Sequence, residues 1–226
     1  TGVSGRTGAA TANTLLKLGK RLRVIVRDKA KGDIWAARGA DVAIVDLTDC
    51  HALTEALSGA HAAYIVSPPQ YSQDNLFEQA ELMAQTIAKA VSAAKVAKLV
   101  VLSSVGAEKA KGTGWITMNH TLERYLTDKA TAVAFLRAAY FIENWYPLAQ
   151  IASQQGELAS FLAPLERKLP MIATQDIGRI AAEMLCEDWQ GTKVVALEGP
   201  QSYSPSDVTT QLAQVVGRTM KPVNLP

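Results

Sequence analysis

The sequence is poor in the residues that build covalent or metal-held frameworks. Two cysteines, Cys50 and Cys186, stand far apart without the spacing of a disulfide scaffold or a zinc site, which points to a reducing cytoplasm. The three histidines (His51, His61 and His120) are scattered, so no metal is expected. No apolar run approaches the ~20 residues of a membrane helix and no signal-peptide pattern is present, so no membrane association is expected. Net charge is scarce too: +2 is too little to argue for nucleic acid. Seven basic residues against one acid do crowd between Lys17 and Lys31, but half of that stretch reads as a strand, whose successive side chains face opposite ways. Nucleic acid is therefore not expected as a direct partner. Repeats, low-complexity segments and obvious linkers are also missing. What remains is a chain of 226 residues, 48% hydrophobic and 19% charged, able to bury one full core with a small lobe attached.

Short β-branched runs alternate with longer amphipathic stretches. Strands are predicted at RLRVIV (21–26), DVAIV (41–45), AAYIV (62–66), KLVVLSS (98–104) and AVAFL (132–136), with helices at about 7–18, 32–38, 49–57, 75–94 and 117–128 between them. Gly19, Gly39 and Gly59 each follow a helix, where a left-handed residue ends it cheaply. Leu76, Ala80, Met83, Ile87 and Val91 form a core stripe on the fourth helix. Strand and helix in regular alternation predict an α/β fold, a doubly wound parallel sheet covered on both faces. Residues 140–170 read as irregular. They are followed by a helix over 174–187 capped by Thr174, a strand over 192–199, and a last helix opened by Ser204, Pro205 and Asp207. The expected division is a larger α/β domain over 1–139 and a smaller lobe over 140–226, packed on and partly returning to the sheet.

The chain opens with TGVSGRTG, in which Gly2, Gly5 and Gly8 enter the first helix. A G-x-x-G-x-x-G turn lets backbone amides approach a pyrophosphate, and the helix N-terminus adds positive potential. Gly2 is expected to make the tight turn, Gly5 the close approach and Gly8 the close helix–strand contact, with Ser4, Arg6 and Thr7 completing the loop. At the tip of the next strand stand Arg27, Asp28 and Lys31. Guanidinium groups meet a 2′-phosphate bidentately, and two such arginines, Arg6 in the glycine loop and Arg27 at the strand tip, favour NADP over NAD by ~100-fold. NADP(H) is the expected cofactor. The weaker alternative is NAD(H), with Asp28 holding the ribose.

With these residues in view the chain resembles the NmrA-like group of atypical short-chain dehydrogenases. The likeness rests on TGVSGRTG, VRDKAK (26–31), GADVAIVDLTD (39–49), VVLSSVGAE (100–108), HTLERYL (120–126), LRAAYFIENW (136–145), ATQDIGRIAAEML (173–185) and LEGPQSYSPSDV (197–208). It implies a Rossmann fold with a small C-terminal substrate lobe, NADP(H) in the cleft, Asp46 and Leu47 beside the adenine, and Val66, Ser67 and Pro68 along the middle of the cofactor. It also implies a strand of about six residues ahead of Thr1 in the intact protein and further chain after Pro226. One departure from the group is Ala138, where LRPAYF becomes LRAAYF.

Ordinary short-chain dehydrogenases use Tyr-x-x-x-Lys, the lysine lowering the tyrosine's pKa. In the expected helix those two places hold Ile116 and His120. His120 is the candidate to hold the nicotinamide ribose or relay a proton, and Glu123 is expected to pair with Arg124 or solvent. Tyr140 is the second catalytic candidate. Tyr140 and Phe141 are expected to line the cofactor, with Trp115, Phe141, Asn144 and Trp145 around the substrate and Ser103 as a polar contact. Two functions follow. One is an NADPH-dependent reductase of quinone-like or conjugated carbonyl substrates, which accept hydride on positioning alone. The other is a non-enzymatic NADP(H) sensor acting through a regulatory protein partner, favoured by the missing tyrosine.

Overall fold

The structure is a computed structural model describing residues 1–68 and 74–225. It divides into two compact units, Thr1–Ala138 with Gln175–Ala196, and Ala139–Thr174 with Leu197–Pro226.

In the first unit strand and helix alternate as α1 (Arg6–Lys17), β1 (Arg23–Val26), α2 (Lys29–Ala36), β2 (Asp41–Ile44), α3 (Cys50–Leu57), β3 (Ala62–Ile65), α4 (Leu76–Ala93), β4 (Lys98–Ser104), α5 (Thr117–Leu126) and β5 (Ala132–Ala138). β1 and β2 pair in parallel. β3, β4 and β5 run parallel in a four-stranded sheet that β9 (Gly191–Leu197) completes beside β5. This is the α/β architecture that the alternation implies. Gly19, Gly39 and Gly59 end their helices at positive φ (68°, 85° and 75°), where a Cβ would be strained. Met83, Ile87 and Val91 of α4 are buried with Leu53, Leu99 and Phe135 in one cluster, so the stripe on α4 is core.

α7 (Thr174–Cys186) packs on α1 at Gly178. A Cβ there would lie 2.3 Å from Ala10 Cβ and 2.7 Å from the Thr11 amide nitrogen. At the other end of α7 the buried Lys98 ammonium donates to the Leu185 and Glu187 carbonyls, satisfying acceptors that a helix end leaves open.

In the second unit β6 (Tyr140–Phe141), β8 (Leu169–Ile172) and β10 (Ser202–Tyr203) form one small sheet in the order β10-β8-β6. β7 (Glu157–Ser160) and β11 (Lys221–Asn224) form a parallel pair. α6 (Tyr146–Gln155) occupies a stretch that reads as irregular in sequence. It starts with Pro147 in its first turn and ends at Gly156 with φ 77°, but its apolar face is too sparse to show a period. α8 (Pro205–Val216) begins as the sequence indicates, with Ser204 and Asp207 each bonding the other's amide. α7 differs from expectation at its start: Thr174 is the first helical residue, and its amide and hydroxyl both donate to the Glu143 carboxylate.

Candidate active site

The glycine loop is shaped by close backbone approach. Gly2 has φ +69°, and a Cβ on it would lie 2.8 Å from Val66 Cβ. The Gly5 amide donates to the Gly2 carbonyl at 2.9 Å, and a Cβ on Gly8 would sit 2.1 Å from that same carbonyl oxygen. Gly2 and Gly8 are therefore obligatory for this turn. Gly5 stands at the N-cap of α1 with no side-chain cap, so the first amides of the helix are presented past a residue without bulk. Ser4 and Arg6 are exposed on the loop, whereas Thr7 is buried on the core side of α1, beside Tyr64. A cradle that any Cβ would fill fits a pyrophosphate.

The strand tips beside this loop carry the charge. Arg27 follows β1 and is exposed, as is Lys31. Asp28 is occupied: its Oδ1 accepts from the Ala30 amide at 2.7 Å and the Lys31 amide at 3.4 Å, capping α2. Asp46 follows β2 and accepts from the Thr48 amide at 2.9 Å and the Thr48 hydroxyl at 2.8 Å. These bonds hold its carboxyl below the usual range, and the nearby Arg27 charge adds to the effect. Leu47 is buried behind it. Val66 exchanges hydrogen bonds with the Thr1 hydroxyl, and the Ser67 hydroxyl meets Met83 Sδ at 3.3 Å. Gly2 thus meets Val66 at the end of β3, and Arg27 meets Asp46 at the ends of β1 and β2, each pair at the C-terminal edge of its strands, the ligand side of open α/β sheets. Pro68 ends the described stretch. A separate cavity of about 610 Å³ lies between β1 and β3, lined by Leu15, Val24, Ile25, Ala63 and Tyr64; of the loop glycines only Gly8 borders it.

Beside β4 and β5 of the four-stranded sheet a second group surrounds His120. Its Nδ1 lies 2.8 Å from the Ala107 carbonyl oxygen. A carbonyl only accepts, so Nδ1 carries the proton and Nε2 is the nitrogen with a lone pair. Glu123, one turn on, is 8% exposed and does not pair with Arg124, contrary to the sequence expectation; Arg124 bonds Glu81 instead. Glu123 accepts from Ser103 Oγ at 2.5 Å and from Arg137 at 3.0 and 2.7 Å. The Ser103 hydroxyl is thereby engaged inside the protein. Trp115 is 60% exposed on a short 3₁₀ turn before α5. A Tyr-x-x-x-Lys spacing does occur once, at Tyr125 and Lys129, but at the far end of α5. There the Tyr125 hydroxyl donates to Glu81 and accepts from Gln85, so the pair is structural.

In the second unit Tyr140 and Phe141 are half-buried neighbours on β6. Burial pushes the Tyr140 phenol above its ordinary pKa, and a hydrogen bond with Asn144 opposes the shift. Trp145 is 4% exposed and packs with Ala152, Leu158 and Met171, its ring 5.9 Å from that of Tyr140. It is a core residue of this unit.

Sequence reasoning missed Arg137. Its one signal was a lone charge at the end of an otherwise apolar strand.

The model of the NmrA-like family matches residues 1–226. An NAD(P)H azoreductase of Xenophilus azovorans is 26% identical over 224 residues, covering 97% of this chain and 74% of the relative. Quinone oxidoreductase 2 of Escherichia coli is 25% identical over 229 residues, covering 100% and 76%. A crystal structure of NADPH-dependent quinone oxidoreductase from that organism, complexed with NADPH, superimposes with a TM-score of 0.87 at 25% identity, covering 100% and 77%. The triphenylmethane reductase of a Citrobacter species, at 19% identity and a TM-score of 0.88, shares the fold.

Proposed function

Since the chain belongs to the NmrA-like family, we propose that it is an NADPH-dependent reductase of quinone-like or other conjugated carbonyl substrates. The relatives named above are reductases by name, so of the two expected functions the reductase is carried forward and the sensor is not.

The cofactor reading is carried by one observation: exposed Arg27 and Lys31 stand at the tip of β1, where Asp28 Oδ1 caps α2 by accepting from the Ala30 and Lys31 amides. Those bonds turn one carboxylate oxygen to the helix, and the guanidinium and ammonium groups beside it suit a 2′-phosphate. The amides at the start of α1, past Gly5, take the pyrophosphate, and Asp46 and Leu47 border the adenine.

Bound NADPH supplies a hydride, and a quinone becomes a hydroquinone by taking that hydride and one proton. His120 holds its Nδ1 proton on Ala107, which leaves Nε2 to accept from a ribose hydroxyl, or to take a proton from solvent water and hand it to the reduced quinone. Tyr140 is kept as the second candidate donor on the likeness to the family, its phenol raised by burial and hydrogen-bonded to Asn144.

The test is steady-state oxidation of NADPH with a simple benzoquinone, following hydroquinone formation. Stoichiometric hydroquinone is expected, with NADH slower, and a drop in kcat of about 10²-fold in His120→Ala. No NADPH consumption across quinone acceptors overturns the reading.

A further inference from the structure

His120 is fastened from two directions, and both lines run to one side chain. Its ring is held through Nδ1 by the carbonyl of Ala107, in the turn after β4. The next residue in that turn, Glu108, meets Arg137 Nη1 at 3.3 Å. The helix that carries His120 is held separately. Glu123, three positions on along α5, receives Arg137 Nε at 3.0 Å and Nη2 at 2.7 Å, one nitrogen on each carboxylate oxygen. Arg137 stands opposite Ser103 in the β4–β5 register, so Ser103 Oγ reaches the same carboxylate at 2.5 Å. The Arg137 fork thus ties the turn that grips the imidazole and the helix that bears it to one point on the sheet.

We propose that Arg137 is a positioning residue for His120, setting the imidazole's tautomer and place through Glu123 on one side and Glu108 on the other. The proposal rests on the reductase reading above for its kinetic consequence, but not for its structural one. A planar guanidinium is required, because a lysine is a single point charge and cannot hold two carboxylates and both oxygens of one of them. Glu123 is buried and Glu108 half exposed, so the Glu123 arm is the rigid one and the Glu108 arm adjusts the turn. The ion pair and the hydroxyl bond together consume the Glu123 carboxylate, which explains why a carboxylate so close to His120 on its helix does not act as its base.

The experiment compares the wild type with Arg137→Lys, which keeps a cation beside Glu123. Readouts are kcat and KM for quinone reduction, NADPH affinity by tryptophan quenching, and the imidazole ¹⁵N spectrum of His120. Expected are a fall in kcat of about tenfold with KM and NADPH affinity within about twofold, and a shift from protonated Nδ1 to mixed tautomers. Adding Arg137→Lys to His120→Ala is expected to cost nothing more. An unchanged tautomer, or kinetic effects that multiply in the double variant, overturns the proposal. If Arg137→Lys does not fold, Glu108→Gln cuts only the exposed arm, and a smaller kcat loss that again vanishes in the His120→Ala background is expected; no loss, or one that multiplies, overturns it. Absence of quinone turnover in the wild type removes the reductase reading alone, because the ¹⁵N spectrum still decides whether Arg137 sets the tautomer.

Discussion

At the scale of single residues, charge and burial make separable predictions. Arg27→Ala is expected to weaken NADPH by about ten- to a hundredfold and to leave NADH unchanged, since one charge-assisted contact to the phosphate is lost. Fluorescence titration measures both, and an equal loss for the two nucleotides would move the phosphate contact elsewhere. Tyr64 lies on β3 against Thr7 and Thr11, and burial pushes its phenol up to about 12. The folded state therefore keeps a proton that the unfolded chain gives up from about pH 10. Its contribution is intact below the ordinary phenol pKa and is lost as pH rises towards the folded value, at about 1.4 kcal/mol per pH unit. Urea unfolding across that window is expected to show this slope in the wild type and a shallower one in Tyr64→Phe. The glycines of the loop were legible in the sequence because their spacing is the constraint itself. The helix cap at Asp28 was not: a carboxylate after a strand suits a ribose or a helix start equally, and only the structure shows Oδ1 accepting from the amides of Ala30 and Lys31.

Elements were legible where their signals are local. β4 spans the predicted residues without change, and the other four predicted Rossmann strands differ by a residue or two at their ends. The capping box of α8 stands as written. α6 was missed because its stability comes from contacts of Trp145, Ala152 and Leu158 with distant residues rather than from a clear period. The α1–α7 crossing was equally silent, for one glycine inside TQDIGRIAAEML says nothing about its neighbour. Gly178→Ala would drive a Cβ into the Ala10 methyl and the Thr11 backbone, and a loss of about 1–3 kcal/mol is expected in chemical denaturation. NADPH affinity should fall with it, as α1 carries the phosphate loop. Asp28→Ala is expected to cost about 1 kcal/mol as a lost helix cap while NADH affinity holds. A selective loss of NADH binding would return Asp28 to the ribose.

At the scale of the whole molecule, cofactor binding should appear as stability. A ligand at about a hundred times its dissociation constant adds about 2.7 kcal/mol, so NADPH is expected to raise the thermal midpoint well above the shift from the same concentration of NADH. Equal shifts would count against the phosphate site. Among the described residues no helix is long and apolar enough to cross a membrane, and no group of His, Cys, Asp and Glu could hold a metal ion. What the sequence alone determined is what depends on neighbours along the chain: the alternation of strand and helix, the glycine turn, the helix ends at Gly19, Gly39 and Gly59, and hence the fold class. What only the tertiary structure decided is which polar and charged groups meet. Glu123 and Arg137 lie 14 residues apart and Glu143 and Thr174 lie 31 apart. Those partners are chosen by sheet register and by which face of a helix is buried, and neither is written in the order of the residues near them.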